Sequence, residues 1–483
     1  MQLLKTITLP LLVSLFILTS CQGSEDPTPA VTLVANAGID QELNIGQTVT
    51  LDGSQSKTTD GKALQYAWTF TKMPANSKAV LSGADGIKPT FVPDLAGEYE
   101  IVLTVSNGTA TKTDNVVVVV KYQPLVLQSI TVKTVLVDRV ADPTLADYWV
   151  NEDIGVDAEL LVMPGVVIGF AEDAMMYIND QGTLISKGQS DRKIVFTTKA
   201  GVAGKWRGIV VYSGNSLNEL SYTEILKAGS IDAISNVPAA ITVAQAGRLT
   251  IKNSKVSESK GYGIHFMDGS LIGGFQDNTL SNNGNAPVRL TANHVAKLDA
   301  ASSFSTGNAR NVIEVMRSTL TGSSEVAWPA FTDKTPYLFS DVITINTGWR
   351  LNSGTTIEVA PDTYFEIGDG YIKAVGTTDQ HIRITGADKS KSSWSGMVIY
   401  SRSNFNVMEY VDVEYAGDSE LISGVKASIT VTSAGSLSMR NSKILDSGGY
   451  GIFINGGDVV VNDDVQTANE FVGMVQGSVY RRN

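Results

Sequence analysis

The residues that decide the fold read AAITVAQAGRLTIKNSKVSESKGYGI from 239 to 264, and they return as ASITVTSAGSLSMRNSKILDSGGYGI from 427 to 452. The two copies are 188 residues apart. The match extends without insertion or deletion over 194–264 and 382–452, where 29 of 71 positions are identical. Self-similarity on this scale indicates an architecture built from stacked units.

Short strands dominate the pattern inside each copy. Runs such as 208–212 and 240–243 are rich in Val, Ile and Thr, and Gly, Asn and Ser separate them. No window has a sustained period of 3.6 with helix caps, so crossover helices are not expected. The sequence therefore predicts an all-β parallel solenoid with roughly 20 to 25 residues in each coil and about eight coils in each module.

Residues 154–483 resemble right-handed parallel β-helix proteins of the pectate-lyase-like class. The resemblance rests on a Trp-x-Gly-Ile/Met-x-Val/Ile-Tyr strand, Asn-Ser turns and a Gly-Tyr-Gly-Ile strand. The offset divides the region into a first module, 154–340, and a second module, 341–483. Asn253 and Asn278, like Asn441 and Asn469, are about one coil apart, which predicts an internal ladder of side-chain amides.

The N-terminus carries a second specific pattern. Lys5 precedes an apolar run over 9–18, and Leu-Thr-Ser then leads into Cys21, the only cysteine. This resembles a bacterial lipoprotein signal peptide, which implies removal of 1–20 and lipidation of Cys21. The polar tether 21–30 contains Glu25 and Asp26, similar to the acidic export signal of Bacteroidetes surface lipoproteins. The expected location is the outer membrane at the cell surface, held by lipid alone.

Residues 31–121 lie outside the duplication and alternate in the manner of a β-sandwich. The segment resembles an Ig-like PKD domain of the REJ-like variant through 36–41, 51–54, 66–68, 93–99 and 103–108. In that family such modules are chiefly spacers and interaction domains. Trp68 is expected in the sandwich core, and 122–153 are expected to form a linker or cap before the solenoid.

Charge and composition limit the partners. The chain of 483 residues has 37 Lys and Arg against 49 Asp and Glu, a net charge of −12, and no basic cluster. Nucleic acid is therefore not an expected partner. The three histidines stand apart from each other and from the cysteine, which argues against zinc.

Candidate site residues are few. Glu409, Asp412 and Glu414 alternate with Val411 and Val413, and the copied positions in the first module are Ser221, Glu224 and Leu226. An acidic trio confined to one module is a candidate calcium or substrate site, with a solvated strand face as the alternative. Asp463, within the Asn-Asp-Asp sequence of 462–464, is the nearest approach to a polygalacturonase-like site.

The paired tryptophans allow two interpretations. Trp206 and Trp394 open equivalent strands, where an aromatic ring stacks on a sugar or closes a corner over the core.

Two hypotheses about function follow. The first is a non-catalytic, lipid-anchored surface binding or adhesion protein, whose partner is a polysaccharide or an extracellular protein. The second is a polysaccharide lyase or glycoside hydrolase that acts on uronic-acid-containing polysaccharide, an expectation that rests on fold analogy. Neither requires a cofactor other than calcium.

Overall fold

The computed structural model describes residues 30–482, except 76, 141, 200, 202, 203 and 235. The predicted signal peptide, Cys21 and the tether through 29 lie outside the described residues. The chain divides into two compact units between Tyr122 and Gln123. Each unit is built almost entirely of strands, so the predicted all-β class is confirmed.

The first unit is a small β-sandwich. Its main sheet has four strands: three run antiparallel to their neighbours, and the fourth pairs in parallel at one edge. Two short antiparallel ladders complete the unit. The main sheet contains Gln41–Asn44, Thr111–Lys121, Gly97–Ser106 and Gln65–Lys72, and the ladders pair Leu33–Val34 with Lys57–Thr58 and Val49–Thr50 with Thr90–Phe91.

Alternating residues of these strands form the sandwich core. Trp68 is buried in it, as predicted, and its indole N–H donates to the Gly86 carbonyl at 3.0 Å. The Tyr99 hydroxyl donates to the Leu95 carbonyl at 2.9 Å, which fastens the turn before its strand to the core. A buried hydroxyl with this partner is the tyrosine corner of Ig-like sandwiches.

The second unit is a parallel β-helix with three faces. One face is a continuous sheet of 13 strands, here called the long sheet. It consists of Ile154–Val156, Met175–Ile178, Gly208–Val211, Ala239–Val243, Tyr262–Phe266, Val288–Leu290, Ile313–Val315, Tyr337–Phe339, Thr356–Val359, Ile382–Gly386, Val411–Glu414, Lys443–Leu445 and Glu470–Val472.

The other two faces are each divided into two sheets along the chain. The first seven-stranded sheet contains Leu125–Val126, Tyr148–Val150, Val167–Phe170, Ile194–Thr198, Thr223–Leu226, Lys255–Ser257 and Thr279–Ser281. The first six-stranded sheet contains Thr134–Leu136, Glu159–Val162, Thr183–Lys187, Glu219–Ser221, Arg248–Lys252 and Leu271–Gln276.

Two further sheets follow in the second module. The second seven-stranded sheet contains Ser318–Leu320, Ile343–Ile345, Tyr364–Ile367, Gly396–Ile399, Ala427–Thr432, Tyr450–Asn455 and Gly477–Arg482. The second six-stranded sheet contains Val326–Trp328, Gly348–Leu351, Tyr371–Val375, Val407–Glu409, Ser436–Arg440 and Val460–Val461. All these strands pair in parallel with the coil before or after, and their inward side chains form one apolar core.

The two copies of the duplication are rotated by one face. Gly208–Val211 belongs to the long sheet, whereas its copy Gly396–Ile399 belongs to the second seven-stranded sheet. Ile194–Thr198 belongs to the first seven-stranded sheet, whereas its copy Ile382–Gly386 belongs to the long sheet. The 188-residue offset therefore spans seven complete coils and one further face, not a whole number of coils.

The coil at the junction explains this change of face. Val288–Leu290 and Ile313–Val315 are neighbours in the long sheet, and the chain between them contains the short helix Ala292–Val295 and one bridging residue, Ser303. Strands of the second set of sheets already begin at 318, ahead of the predicted module boundary after 340. In the segment 122–153, predicted as a linker or cap, three strands pair into the first coils.

Buried asparagine side chains connect neighbouring coils, but not in the predicted pairs. Asn253 is exposed in a left-handed corner, and Asn278 instead accepts from the Ser254 N–H at 3.1 Å and donates to the Ile251 carbonyl at 3.0 Å. The Asn469 side-chain oxygen likewise accepts a hydrogen bond from the Ser442 N–H at 3.0 Å. The amide of each of these two asparagines thus satisfies backbone groups of the preceding coil.

Replacement of Asn278 by Ala should lower the free energy of unfolding by about 2 kcal/mol, because it leaves buried backbone groups without partners. Chemical denaturation measures the change. Asn404→Ala, at an exposed turn residue of the second module, is the control and should change stability little. Equal effects of the two substitutions would contradict the bracing role of Asn278.

Candidate functional site

The predicted acidic trio does not form one group. Glu409 ends a strand of the second six-stranded sheet, whereas Asp412 and Glu414 belong to the long sheet. Tyr410 turns the corner between them with a φ of 52°. The three carboxylates therefore lie on two faces of the solenoid, because a corner falls between the first and the second.

Each carboxylate of the long sheet already has a cationic or imidazole partner. His381 Nδ1 lies 2.9 Å from an Asp412 oxygen, and Arg383 Nη2 lies 2.7 Å from a Glu414 oxygen. Lys443 stands beside Asp412 in the ladder and pairs with Glu470 at 2.9 Å. These side chains form rows of alternating charge along the coils, which is the arrangement that stabilises neighbouring strands.

The first module has the same row at the copied positions. Lys193 and Glu224, the counterparts of His381 and Asp412, pair at 2.8 Å, and Lys255 occupies the position copied as Lys443. The acidic position is thus shared by both modules, and its carboxylate contacts Lys193 in the first and His381 in the second. The solvated strand face, the alternative interpretation of the trio, explains this row without a substrate.

The remaining predicted residues lie apart from that row. Asp463 is exposed in a turn where Asp464 pairs with Arg440 and Asn462 donates to the Met439 carbonyl. Asp463 itself has no described hydrogen bond or ion pair. The structure does not bring Asp463 together with Asp412 or Glu414, since it follows a strand of the second six-stranded sheet.

Both paired tryptophans are core residues. Trp206 and Trp394 have 0% exposed surface, and their indole N–H groups donate to the Leu226 and Glu414 carbonyls at 2.9 and 2.8 Å. Each ring also stacks on a phenylalanine of the preceding coil, Phe170 or Phe365. Neither ring can stack on a ligand, so the sugar-binding interpretation of the tryptophans is corrected in favour of the corner-closing one.

A cleft of about 440 Å³ opens on the first seven-stranded sheet. Its polar walls are ion pairs: Arg192 with Asp138 at 2.9 Å and Lys193 with Glu224 at 2.8 Å. Arg192 also donates to the Pro164 carbonyl. The cleft is lined by Asp138, Val140, Pro143, Gly165, Val167, Ser190, Asp191, Arg192, Lys193, Val195 and Glu224. Asp191 is exposed in this cleft and has no hydrogen bond or ion pair with any described residue.

A second charged cluster was not predicted from the sequence. The Glu314 carboxylate, whose side chain is 5% exposed, accepts from Arg289 Nε at 3.0 Å, from Arg310 Nη2 and from the Tyr262 hydroxyl at 3.0 Å. Arg310 also donates to the Tyr262 hydroxyl at 3.2 Å. These four residues, here called the Glu314 cluster, come from three neighbouring strands of the long sheet and the turn before one of them. Their spacing in sequence gives no motif.

Tyr262 supplies the hydroxyl of the Glu314 cluster, and its surroundings affect its titration. Burial, followed by the nearby Glu314 carboxylate, raises the pKa of Tyr262 above its ordinary value. A phenol with a raised pKa stays protonated near neutral pH and is a poor general base. Among the described residues, moreover, no group of three or more His, Cys, Asp or Glu is arranged to hold a metal ion.

His265 lies next to the Glu314 cluster, opposite Arg289 in the long sheet. Only 2% of its surface is exposed, and neither ring nitrogen has a hydrogen-bond partner among the described residues. Burial, with the positive charge of Arg289 as the second cause, lowers the pKa of His265 to about 4. The imidazole is therefore neutral in the folded protein at neutral pH.

This lowered pKa predicts a pH-dependent stability. Because the unfolded histidine binds a proton below about pH 6.5 and the folded one does not, stability should fall as the pH drops from 6.5 towards 4. The difference between an unfolded pKa of about 6.5 and a folded pKa of about 4 corresponds to about 3 kcal/mol at the acid end. His265→Phe, which copies Phe453, should remove this contribution, so that the difference in unfolding free energy between variant and wild type grows on acidification. A pH-independent difference would contradict the prediction.

Comparison with known proteins bears on the first unit. Residues 37–120 match the PKD domain family. A PKD domain solved in solution is 30% identical over 21% of this chain and 94% of its own, with a TM-score of 0.17. No curated protein matches the chain.

Two further solved structures each match 19% of this chain. One is a nucleoside hydrolase-related protein from Saccharophagus degradans that is associated with carbohydrate metabolism, 25% identical over 19% of this chain and 25% of its own, with a TM-score of 0.17. The other is the titin M3 domain, 12% identical over 19% of this chain and 96% of its own, with a TM-score of 0.14. The family match, with its buried Trp68 and Tyr99, identifies residues 37–120 as a PKD domain.

Proposed function

We propose that this protein is a lipid-anchored cell-surface binding or adhesion protein. In this proposal the PKD domain serves as a spacer or interaction module, and the β-helix presents its long polar faces to a glycan or to an extracellular protein. The observation that carries the proposal is where the predicted acidic residues lie and which side chains they contact. Asp412 contacts His381 and Glu414 pairs with Arg383, and Glu409 and Asp463 lie on other parts of the surface.

The geometry argues against the enzymatic alternative. A lyase needs a free base beside the acidic sugar, and a hydrolase needs two carboxylates that face each other across a groove. The predicted acidic residues offer neither arrangement, because each long-sheet carboxylate faces a His or Arg of the preceding coil. Binding along a face, in contrast, requires only fixed donors and acceptors on a rigid scaffold.

The membrane connection is proposed from the sequence. Cys21 follows an apolar run and a Leu-Thr-Ser sequence, and a diacyl anchor holds a protein on a bilayer without a spanning segment. Within the part of the chain that the structure describes, no helix has the length and hydropathy of a membrane span. The tether would place the PKD domain next to the membrane and the solenoid beyond it along the chain.

Cys21→Ala should move the protein from the membrane fraction to the soluble fraction and abolish incorporation of a labelled fatty acid. Fractionation and metabolic labelling measure the two effects. Protease treatment of intact cells distinguishes surface display, in which the wild-type protein is digested, from a periplasmic location. Unchanged labelling of the variant would show that Cys21 carries no lipid.

The purified full-length protein should leave acidic polysaccharides intact while it binds at least one glycan or surface protein. Absorbance of unsaturated products and the appearance of reducing ends report lyase and hydrolase activity, respectively. A pectate panel, an alginate panel and a glycosaminoglycan panel cover the uronic-acid polymers. Release of either product from any of them would replace the binding function by the enzymatic one.

A further inference from the structure

The duplication supplies an internal comparison for the Glu314 cluster. The copied Gly-Tyr-Gly-Ile sequences are followed by His265 in the first module and by Phe453 in the second. The next strand places Arg289 opposite His265 and Tyr480 opposite Phe453. The same position of the fold therefore carries titratable side chains in one module and aromatic side chains in the other.

The aromatic version is built from stacked rings with one cation above them, since the Arg482 guanidinium lies 5.3 Å from the Phe453 ring centroid and 5.7 Å from that of Tyr480. Tyr480 stacks on Tyr450 at 4.9 Å and on Phe453 at 5.4 Å between ring centroids. Phe453 is fully buried against Val425 and Ala427. Because apolar side chains satisfy this position, the fold itself does not require the charged version, and a buried ion pair is seldom more stabilising than well-packed apolar groups.

The charged version leaves cationic donors in excess. Among the described residues, Arg289 and Arg310 have one carboxylate between them, that of Glu314. Arg310 Nε additionally donates a hydrogen bond to the Asn285 side-chain oxygen at 2.9 Å. The two terminal nitrogens of Arg289 make no hydrogen bond with any described residue, although three quarters of the side chain is shielded from solvent. A guanidinium fixed at Nε and open at its terminal nitrogens is prepared to hold an anion through two parallel bonds.

The unpaired imidazole gives a second, independent observation. His265 lies directly opposite Arg289, is almost fully buried and has no partner at either ring nitrogen. Burying such a group without hydrogen bonds costs stability, and native proteins rarely keep one without a use. Together with the open end of Arg289, it marks this part of the long sheet as a place where a polar ligand completes the structure.

We infer that the Glu314 cluster, with His265 beside it, binds the carboxylate or sulfate group of an acidic glycan. Arg289 and Arg310 hold the anionic oxygens, and the Glu314 carboxylate positions both guanidinium groups and the Tyr262 hydroxyl. The inference deepens the proposed binding function and rests on it. An extended polymer fits better than an isolated ion, because Tyr262, Arg289 and Glu314 occupy three successive strands and span about 10 Å along the solenoid axis.

The first test measures the binding of full-length protein to oligogalacturonate, to a sulfated disaccharide and to a neutral oligosaccharide by calorimetry. Wild type should bind one of the two acidic probes, and which one it binds distinguishes carboxylate from sulfate. Arg289→Gln should weaken that binding about tenfold or more. Arg317→Gln is the matched control, because Arg317 is an exposed arginine of the same module junction whose one ion pair among the described residues is with Asp341, and it should bind as wild type does.

A second variant separates loss of the site from loss of the fold. The double substitution His265→Phe with Arg289→Tyr copies Phe453 and Tyr480 of the second module. It should melt no lower than Arg289→Gln and still lose the acidic probe. An Arg289→Gln variant that binds every probe as wild type does would overturn the site while leaving the proposed function standing.

Three further outcomes are decisive. A wild type that binds no acidic oligosaccharide, or that binds neutral ones equally well, overturns the inference. Equal affinity for a poly-glutamate peptide would show that the site reads anionic chains in general and would overturn the glycan assignment. Cleavage of a probe during the titration would overturn the proposed function itself.

Discussion

Backbone pairing between successive coils is the constraint on which the solenoid depends. A strand of three to six residues finds no partner within its own coil, so its N–H and C=O groups are satisfied only by the coils before and after. Each coil must therefore turn two or three corners at fixed places. Left-handed residues make several of these corners, and they recur at copied positions, such as Tyr222 with Tyr410 and Asn253 with Asn441. A left-handed residue other than glycine costs about 1 kcal/mol, which the gain in pairing offsets.

The same register decides what the surface side chains can do. Residues that point outward from paired strands stand in rows, so a carboxylate meets whatever the neighbouring coils place beside it. In the second module the row reads Arg383, Asp412, Lys443 and Glu470, which neutralises each member. A position that looks like a candidate base in the sequence thus becomes part of an ion-pair ladder. The Glu314 cluster differs because two guanidinium groups converge on a single carboxylate.

Rotation of the copies by one face gives the duplication its functional consequence. A duplication by whole coils would repeat a binding surface along one side of the solenoid. Here equivalent strands occupy different faces, so the copied core residues are retained while the copied surfaces point in different directions. The surfaces are then free to diverge, as His265 and Arg289 have from Phe453 and Tyr480. The irregular coil around the helix Ala292–Val295 is the place where the two arrangements join.

The sequence by itself determined the architecture, because an uninterrupted copy of short strands without helical periodicity can bury its apolar residues only by stacking coils. It also determined the PKD domain, whose motif residues Trp68 and Tyr99 are the core of the sandwich. It could not place Glu409 on a different face from Asp412, or show that Trp206 and Trp394 point inward, because both depend on where a corner falls. The tertiary structure alone assembled Tyr262, Arg289, Arg310 and Glu314, since their proximity arises from stacking of coils and leaves no spacing that a linear pattern would reveal.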